Sequence, residues 1–562
     1  MKAPHHPSAP PAREANSLDE PSATAKQTLW RLLALAAAAF VTFFFGLGRL
    51  ALLGPDEPRY AEIAREMFAS GDWISPRLCG CLWFEKPALV YWMSALSYRM
   101  FGVNEFAARL PVAVAAGLTA LLLYVVIRRL VSPRMAWITA LVLLTSGMFI
   151  GYARVAAPDM PLAATMTLAL LAGFLATQAN GRRRRRLWAA SFAAMGLAML
   201  AKGLPGIVLV ALIFVVYFMW MRRASFINWR ELTIGAAIFL IVTATWYVPV
   251  TMRHGWQFIH EFFIRHHFER FTSNEFGHPQ PFYFFLPIAI VGIAPWSAFL
   301  LPAIARLRRL QPRADRRDAL VAFAWVWAAV IVFFFSFSGS KLPGYILPAF
   351  PALAIIVGDQ MERFVAGERG RLMRVAAWMT ALIMVALAVG FAVYLRREEI
   401  TAQGAHVIVY AVPAAVALAG VALLAARKQA AFVLAASGMM MSVVVCAALV
   451  LVPKLSDELT RKPLALAAAA ALRPGERIAF YILLKEYAPV FYSQGRVACG
   501  IGEYDVFNAF STDELADALR NEASFVVFTL DRWRGGLEQD ERFTTEPLAQ
   551  QGDAVAIRVS LK

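Results

Sequence analysis

The chain has 562 residues, of which 59% are hydrophobic and 17% are charged. Soluble domains are typically about 45–50% apolar and about 25% charged, so this composition excludes an ordinary soluble protein. The formal net charge is +17, but the basic residues fall in alternate loops between long apolar runs. That distribution follows the positive-inside rule of membrane proteins and argues against a nucleic-acid partner.

Thirteen apolar runs predict a polytopic α-helical membrane protein with a transmembrane domain over residues 28–454. A spanning helix needs roughly 20 mostly apolar residues. Residues 1–27 are rich in Pro, Ala and Ser and are predicted to be a disordered cytoplasmic N-terminus. The alternation of basic loops then places the C-terminus outside. The candidate spans are 28–50, 107–127, 134–151, 160–179, 187–201, 204–221, 233–250, 282–304, 318–337, 345–359, 374–395, 405–425 and 431–452.

The first long external loop, residues 51–106, is predicted to contain two helices at the membrane surface. Apolar residues recur at helical spacing from Tyr60 to Phe68, and charged residues such as Glu62 fall on the other side. Gly71 is predicted to end this helix. A helix divided in this way should lie flat in the interface with its charged side in water.

The second long external loop, residues 251–281, is rich in histidine. His260-Glu261 begins like the His-Glu-x-x-His motif of zinc proteases, but the fifth position is Ile264. His267 returns to the same helical face about 10 Å further along the axis. Zinc–nitrogen bonds are about 2 Å long, so a zinc protease is excluded. A site for a divalent metal such as zinc stays open, and its candidate ligands are Glu85, His266 and His267.

The four cysteines are Cys79, Cys81, Cys446 and Cys499. Cys79 and Cys81 lie in the first external loop, where disulfides can form. A metal site would need a second cysteine pair at suitable spacing. We therefore expect loop thiols or a local disulfide between these two residues.

Residues 455–562 contain no spanning run and are predicted to form a small soluble α/β domain in the periplasm. A helix is predicted at 464–472, and the segment Ser511–Glu514 resembles a capping box that opens another helix. Strands are predicted at 477–481, 524–530 and 553–560.

Nine charged residues at helix ends or in external turns form the candidate site. Charges at such places are costly and are generally functional, and their convergence on one face predicts a common site. Single alternatives stay open: Asp56 and Asp159 as helix N-caps, Glu85 and Lys86 as a solvated pair, or Lys341 snorkelling to the interface. Cations outnumber carboxylates, which favours an anionic ligand such as a phosphate. The set is Asp56, Glu57, Arg59, Glu85, Lys86, Asp159, Lys202, Arg270 and Lys341.

Three of these segments resemble a known family. The segment Gly54–Glu62, with its Asp-Glu pair, is similar to the first external loop of bacterial glycosyltransferases with the multi-spanning C-type fold, in the protein-mannosyltransferase-like superfamily. Trp83–Pro87 and Ser340–Pro348 resemble, more narrowly, the lipid A aminoarabinose transferases. The resemblance covers roughly residues 50–350.

The resemblance implies a monomeric enzyme among membrane lipids, with its active site on the periplasmic face of the bacterial inner membrane. Its donor would be a sugar on undecaprenyl phosphate and its acceptor a lipid A phosphate. The added 4-amino-4-deoxy-L-arabinose would mask negative charge and confer resistance to polymyxin and other cationic peptides. No cofactor is certain. The predicted catalytic residues are Asp56, facing the reacting centre, with Glu57 and Asp159. The predicted substrate-binding residues are Arg59, Tyr60, Lys86, Lys202, Arg270, Lys341 and Tyr345.

Two other classes of function were considered. A protein O-mannosyltransferase-like enzyme, or one acting on another glycan, would use the same cavity on a different acceptor. A lipid transporter would place its ionisable residues near the middle of the bilayer. The residues named above cluster at one rim, which argues against transport.

Overall fold

The computed structural model describes residues 24–222, 227–269, 279–397, 406–453, 456, 460–483, 487–500 and 506–562. Within these ranges the chain forms a bundle of long apolar helices followed by a small α/β domain. Nine helices within the described ranges are long and apolar enough to cross a membrane. They are Ala25–Phe44, Glu105–Leu130, Asp159–Thr177, Trp229–His266, Arg316–Ser336, Pro343–Val365, Arg371–Arg397, Ile408–Ala425 and Gln429–Leu451.

Two further spans are pairs of helices with a sharp bend between them. Pro133–Leu144 meets Gly147–Ala153 at 65°, and Phe282–Gly292 meets Trp296–Leu307 at 109°. The two remaining runs of the thirteen predicted form Gly181–Lys202, which carries basic residues at both ends, and Pro205–Trp220, which has 16 residues. The prediction of a polytopic helical membrane protein is confirmed.

The helix Asp56–Ser70 lies beside the mouth of the bundle. Its apolar residues Ile63, Ala64 and Met67 are buried, and Gly71 ends it in the left-handed conformation with φ of 70°, as predicted. The expectation of a charged side in water is wrong, because Glu62 is fully buried. This side of the helix faces the C-terminal domain, which no local pattern could reveal.

The rest of the first loop contains the helix Leu89–Phe101 and a short antiparallel hairpin. Its strands are β1 (Arg77–Leu78) and β2 (Cys81–Leu82). Cys81 forms a disulfide with Cys499 of the C-terminal domain, with their Cα atoms 6.3 Å apart. Cys79 is buried in the turn between β1 and β2 and is not part of this disulfide. The expected local disulfide between the two loop cysteines is therefore wrong, because Cys81 pairs with a cysteine of a distant domain.

The C-terminal domain is built on a five-stranded sheet. Its strand order is β4-β3-β5-β7-β6, with β3 parallel to β4 and β5, and β7 antiparallel to β5 and β6. The strands are β3 (Arg477–Tyr481), β4 (Asn508–Ala509), β5 (Phe525–Leu530), β6 (Phe543–Gln551) and β7 (Ala554–Leu561). Its helices are Lys462–Ala471, Ala488–Tyr492, Thr512–Leu519 and Asp531–Glu538.

One face of this sheet packs toward the membrane domain. Alternate residues of a strand point to opposite faces, and Phe480 and Phe528 share an apolar cluster with Ile63 and Tyr98 of the first loop. The domain therefore packs on the same end of the bundle as the loop 51–106.

Candidate active site

A cavity of about 460 Å³ opens at the end of the bundle that carries the loop 51–106. Segments far apart in the sequence line it: the start of the Asp56–Ser70 helix, the turn after Trp83, the segment 152–162, the end of the Gly181–Lys202 helix and the entry to the 3₁₀ helix Pro343–Ala349. The charged residues that line it are Asp56, Glu57, Glu85, Lys86, Asp159 and Lys202. Most of the residues that the sequence predicted to converge are therefore brought together.

Asp56 is the first residue of its helix and faces the cavity with half of its side chain exposed. The helix N-cap is Pro55, and no side chain caps it, so the alternative role of Asp56 as an N-cap is wrong. Its Oδ1 accepts a hydrogen bond from Arg59 Nη2 at 2.5 Å. A carboxylate fixed at the positive end of a helix and open to a cavity is placed to meet a substrate.

Glu57, by contrast, is part of the cavity lining but is almost completely buried. Its carboxylate accepts hydrogen bonds from Arg109 at 2.7 and 2.9 Å and from the backbone N–H groups of Leu53 and Ala156. Arg109 also donates to the carbonyls of residues 47, 50 and 51. Because its oxygens are engaged in this way, Glu57 holds two cavity loops together, and the structure gives it a positioning role rather than the predicted catalytic one.

Asp159 begins the helix Asp159–Thr177 and also makes no cap. Its Oδ1 accepts from Lys202 Nζ at 2.6 Å, and this ammonium lies 5.1 Å from the centre of the Tyr345 ring. Gly344 adjoins the group closely, since a Cβ there would lie 2.6 Å from Asp159 Oδ1 and 2.8 Å from Tyr152 Oη. Residues of four segments thus form one packed polar wall.

Glu85 and Lys86 form a pair at 2.5 Å rather than a solvated one, since both side chains are about nine-tenths buried. Arg59 Nη2 lies 3.9 Å from the other oxygen of Glu85. Burial alone would lower the pKa of Arg59, but Glu85, Tyr60 and Asp56 raise it well above its usual value. Burial, reinforced by Glu85 and Asp56, raises the pKa of Tyr60, so its hydroxyl stays protonated.

This arrangement does not fit the metal considered from the sequence. Glu85 already faces two cations, and a divalent ion would have to displace Lys86. His266 lines the cavity, whereas the side chain of His267 lies outside the described residues. Among the residues that the structure describes, no group of three His, Cys, Asp or Glu is placed to hold a metal ion.

Three predicted substrate-binding residues, Arg59, Lys341 and Arg270, are not part of the described cavity lining. Lys341 is buried, and its ammonium donates to the carbonyls of Gln280 and Ser338 at 3.0 and 2.6 Å, so it does not snorkel to water. Arg270 lies outside the described residues. The predicted excess of cations is not found in the described lining, which has four carboxylates and two lysines: Asp56, Glu57, Glu85, Asp159, Lys86 and Lys202.

Sequence reasoning missed Arg109, Tyr152 and Gly344. Arg109 left a signal, because a single arginine inside the apolar helix Glu105–Leu130 needs a buried partner. Gly344 was quoted only as part of a motif, and Tyr152 gave no signal in its apolar segment. Their roles depend on contacts between helices, and the sequence alone does not predict which helices meet.

The helical bundle, its external cavity and its small α/β domain have the C-type glycosyltransferase fold, as the motifs predicted. The structure aligns with the crystal structure of ArnT from Cupriavidus metallidurans bound to undecaprenyl phosphate, with a TM-score of 0.77 and 28% identity. The alignment covers 94% of this chain and 98% of that chain. It also aligns with the same protein in the apo state, with a TM-score of 0.77 and 27% identity.

Comparison of the sequences indicates the same relatives as the structural alignment. The chain is 36% identical over 344 residues, 60% of its length, to the undecaprenyl phosphate-alpha-4-amino-4-deoxy-L-arabinose arabinosyl transferase of Pseudomonas aeruginosa, and the match spans 60% of that relative. It is 32% identical over 369 residues to transferase 2 of Pseudomonas fluorescens, which covers 65% of this chain and 62% of that relative. Residues 85–248 match the family described as dolichyl-phosphate-mannose-protein mannosyltransferase. The predicted resemblance to the aminoarabinose transferases is confirmed.

Proposed function

We propose that this protein is a glycosyltransferase that moves 4-amino-4-deoxy-L-arabinose from undecaprenyl phosphate to phosphate groups of lipid A. It would act as a monomer at the periplasmic face of the bacterial inner membrane and confer resistance to polymyxin. The observation that carries this proposal is the cavity at one end of the bundle, where a half-exposed Asp56 lies beside two lysines. The similarity to the named arabinosyl transferases supports the choice of donor.

The charge of the lining supports an amine-bearing sugar. Glu57 is neutralised from behind by Arg109, and Asp56, Glu85 and Asp159 are paired with Arg59, Lys86 and Lys202. A bound donor adds a phosphate near the lysines, and a protonated amine on the sugar then restores the balance. A neutral sugar such as mannose would leave the charge of the donor phosphate unbalanced.

The lysines are placed to receive the leaving group. In the transfer, the bond between the anomeric carbon and the donor phosphate oxygen breaks, and a new bond forms from that carbon to an oxygen of the acceptor phosphate. The electron pair of the broken bond stays on the polyprenyl phosphate, whose added negative charge Lys86 and Lys202 stabilise. Charge stabilisation by groups already in place is commonly a large part of catalysis.

Asp56 is assigned to the reacting centre. A lipid A phosphate is mostly ionised and needs little deprotonation, so a general base is not the main requirement. The carboxylate of Asp56 instead stabilises positive charge that develops on the sugar ring and holds the acceptor or amine in line. Arg59, hydrogen-bonded to it, fixes its direction.

The periplasmic location is supported by two observations. The basic loops alternate along the chain, and the cavity lies at the end of the bundle away from them. The disulfide Cys81–Cys499 lies at this same end, and disulfides persist in the bacterial periplasm rather than in the cytosol.

Mass spectrometry of lipid A tests the proposal. Cells lacking the protein are complemented with wild type or with Asp56→Ala, and only wild type should restore the aminosugar on the lipid A phosphates. If lipid A is unchanged while a protein or another glycan loses a sugar, the acceptor assignment is wrong and an O-mannosyltransferase-like activity takes its place.

A further inference from the structure

The guanidinium of Arg59 is enclosed by aromatic rings from two different domains. Its Cζ lies 5.0 Å from the centre of the Trp83 ring and 5.1 Å from that of Tyr487. Tyr60 contributes a third ring at 5.7 Å. Trp83 and Tyr60 belong to the first loop, whereas Tyr487 belongs to the C-terminal domain and precedes its helix Ala488–Tyr492. The domain therefore reaches the residue that holds Asp56.

The segment around Tyr487 is fixed to the first loop by direct contacts. Arg65 donates to the carbonyl of Gln494 at 2.8 Å. The hydroxyl of Tyr492 accepts from the N–H of Leu52 at 3.0 Å and donates to Glu105 at 3.1 Å. These contacts lie at the C-terminal end of the helix Ala488–Tyr492 and fix that end against the first loop.

The disulfide joins the two segments that carry the rings. Cys81 precedes Trp83 by two residues, and Cys499 follows Tyr487 in the C-terminal domain. The covalent bond therefore limits how far the rings of Trp83 and Tyr487 can move apart. With the disulfide beside them, the rings hold Arg59 more firmly than the ring contacts alone would.

Arg59 needs such support. Its long side chain loses rotational freedom when it is held in one place, and a cation between aromatic faces is stabilised most when water is kept away. The side chain of Arg59 is 13% exposed, whereas that of Asp56 is 51% exposed. Removing the Tyr487 ring would let water reach the guanidinium and let it turn away from Asp56.

We propose that Tyr487 is a positioning residue of the active site, which it serves by holding Arg59 against Asp56. The C-terminal domain is then a part of the catalytic centre rather than a separate cover. This inference rests on the proposed function for its kinetic consequence, but the contact that it assigns can be measured without any sugar transfer.

The kinetic test uses the full-length purified enzyme with undecaprenyl-phosphate aminoarabinose and lipid A. Tyr487→Ala should lower kcat by about tenfold with little change in the KM for the donor, since it loses one well-shielded cation–π contact. Tyr487→Phe keeps the ring and should remain near wild type. The matched control Tyr492→Phe weakens the same docking segment away from Arg59 and should leave kcat near wild type.

A double-mutant cycle separates positioning from folding. In an Arg59→Gln background, Tyr487→Ala should cost almost nothing more, because the residue through which it acts is gone. If Tyr487→Ala lowers kcat by the same factor with and without Arg59, the proposal is overturned. Equal losses in Tyr487→Ala and Tyr492→Phe would overturn it as well, since they would indicate docking alone.

Chemical modification supplies the second readout. Phenylglyoxal modifies accessible arginines, and mass spectrometry of the peptide that contains Arg59 reports its rate. Arg59 should react slowly in wild type and in Tyr492→Phe but fast in Tyr487→Ala, and equal rates in all three would overturn the contact. If wild type transfers no aminosugar, the proposed function fails, and this rate alone then decides whether Tyr487 shields Arg59.

Discussion

The two ends of the helical bundle carry charged clusters that differ in burial and in the number of their partners. At the end that carries the cavity, Asp56 is half exposed and accepts a hydrogen bond from Arg59. At the opposite end, Asp359 is fully buried and is surrounded by three arginines: Arg306 at 3.0 Å, Arg317 at 2.5 Å and Arg363 at 3.4 Å.

The difference distinguishes a site from a structural network. Charges that are enclosed and matched by several partners cannot reach a ligand, and breaking them leaves an uncompensated charge inside the protein. Charges that line a cavity keep part of their bonding capacity for a substrate. Burial and the number of partners, rather than the presence of charge at a helix end, therefore separate the two clusters.

The following predictions are ordered by their effect on turnover per folded molecule. The largest is expected for Asp56→Asn. Loss of the charge that faces the reacting centre should lower kcat by about 100- to 1,000-fold, the range found when a single charge-stabilising group is removed. The thermal midpoint of the purified protein should stay near that of wild type, because Asp56 is exposed. Turnover close to wild type would remove Asp56 from the mechanism.

The next effect is expected for Gly344→Ala. The new Cβ would lie 2.6 Å from Asp159 Oδ1, so the carboxylate and its partner Lys202 must shift. A displacement of about 1 Å in a catalytic arrangement can lower the rate by roughly 100-fold, and we expect a loss of about 10- to 100-fold. The matched control is Gly151→Ala, which has nothing within 4 Å of its new Cβ. Equal rates for both variants would show that this wall is not part of the site.

Local patterns in the sequence predicted what depends on neighbours along the chain. The helix that ends at Gly71 and three of the five strands of the C-terminal domain, β3, β5 and β7, follow from periodicity and turn residues. The sequence could not separate Asp56 from Glu57, because the difference is made by Arg109 from another helix. It could not pair Cys81 with a cysteine 418 residues away either. It missed contacts between distant segments, because no local pattern predicts which distant segments meet.

A smaller effect concerns Glu62, a buried carboxylate where the C-terminal domain docks. Burial raises its pKa from 4.5 to about 8, although hydrogen bonds from Arg65 act the other way and Glu66 adds to the rise. Tyr98 also faces it. The folded state then keeps the proton where the unfolded chain has lost it, so the stability that Glu62 contributes is fully present below pH about 4.5 and is lost as the pH rises through about 8.

The measurement is the thermal midpoint of the full-length protein across this pH range. Wild type should lose stability relative to Glu62→Gln as the pH rises from about 4.5 to about 8, and turnover per folded molecule should change little. Glu66→Gln should narrow this pH window, because Glu66 adds to the rise in the pKa of Glu62. Parallel curves for wild type and Glu62→Gln would show that the buried carboxylate does not titrate in this window.

The smallest effect on turnover is expected for Asp359→Asn, and it completes the comparison of the two ends. Removing the charge takes the shared partner from Arg306, Arg317 and Arg363. Each of them keeps one other carboxylate, Asp318, Glu362 and Glu368 respectively. Breaking a buried ion pair in this way typically costs about 3–5 kcal/mol of stability, so the thermal midpoint should fall clearly. The transfer rate per folded molecule should remain near wild type, because the cluster lies at the end of the bundle opposite the cavity. If Asp359→Asn instead lowered kcat without lowering the midpoint, the enclosed cluster would be coupled to catalysis, and burial with several partners would not suffice to mark a charge as structural.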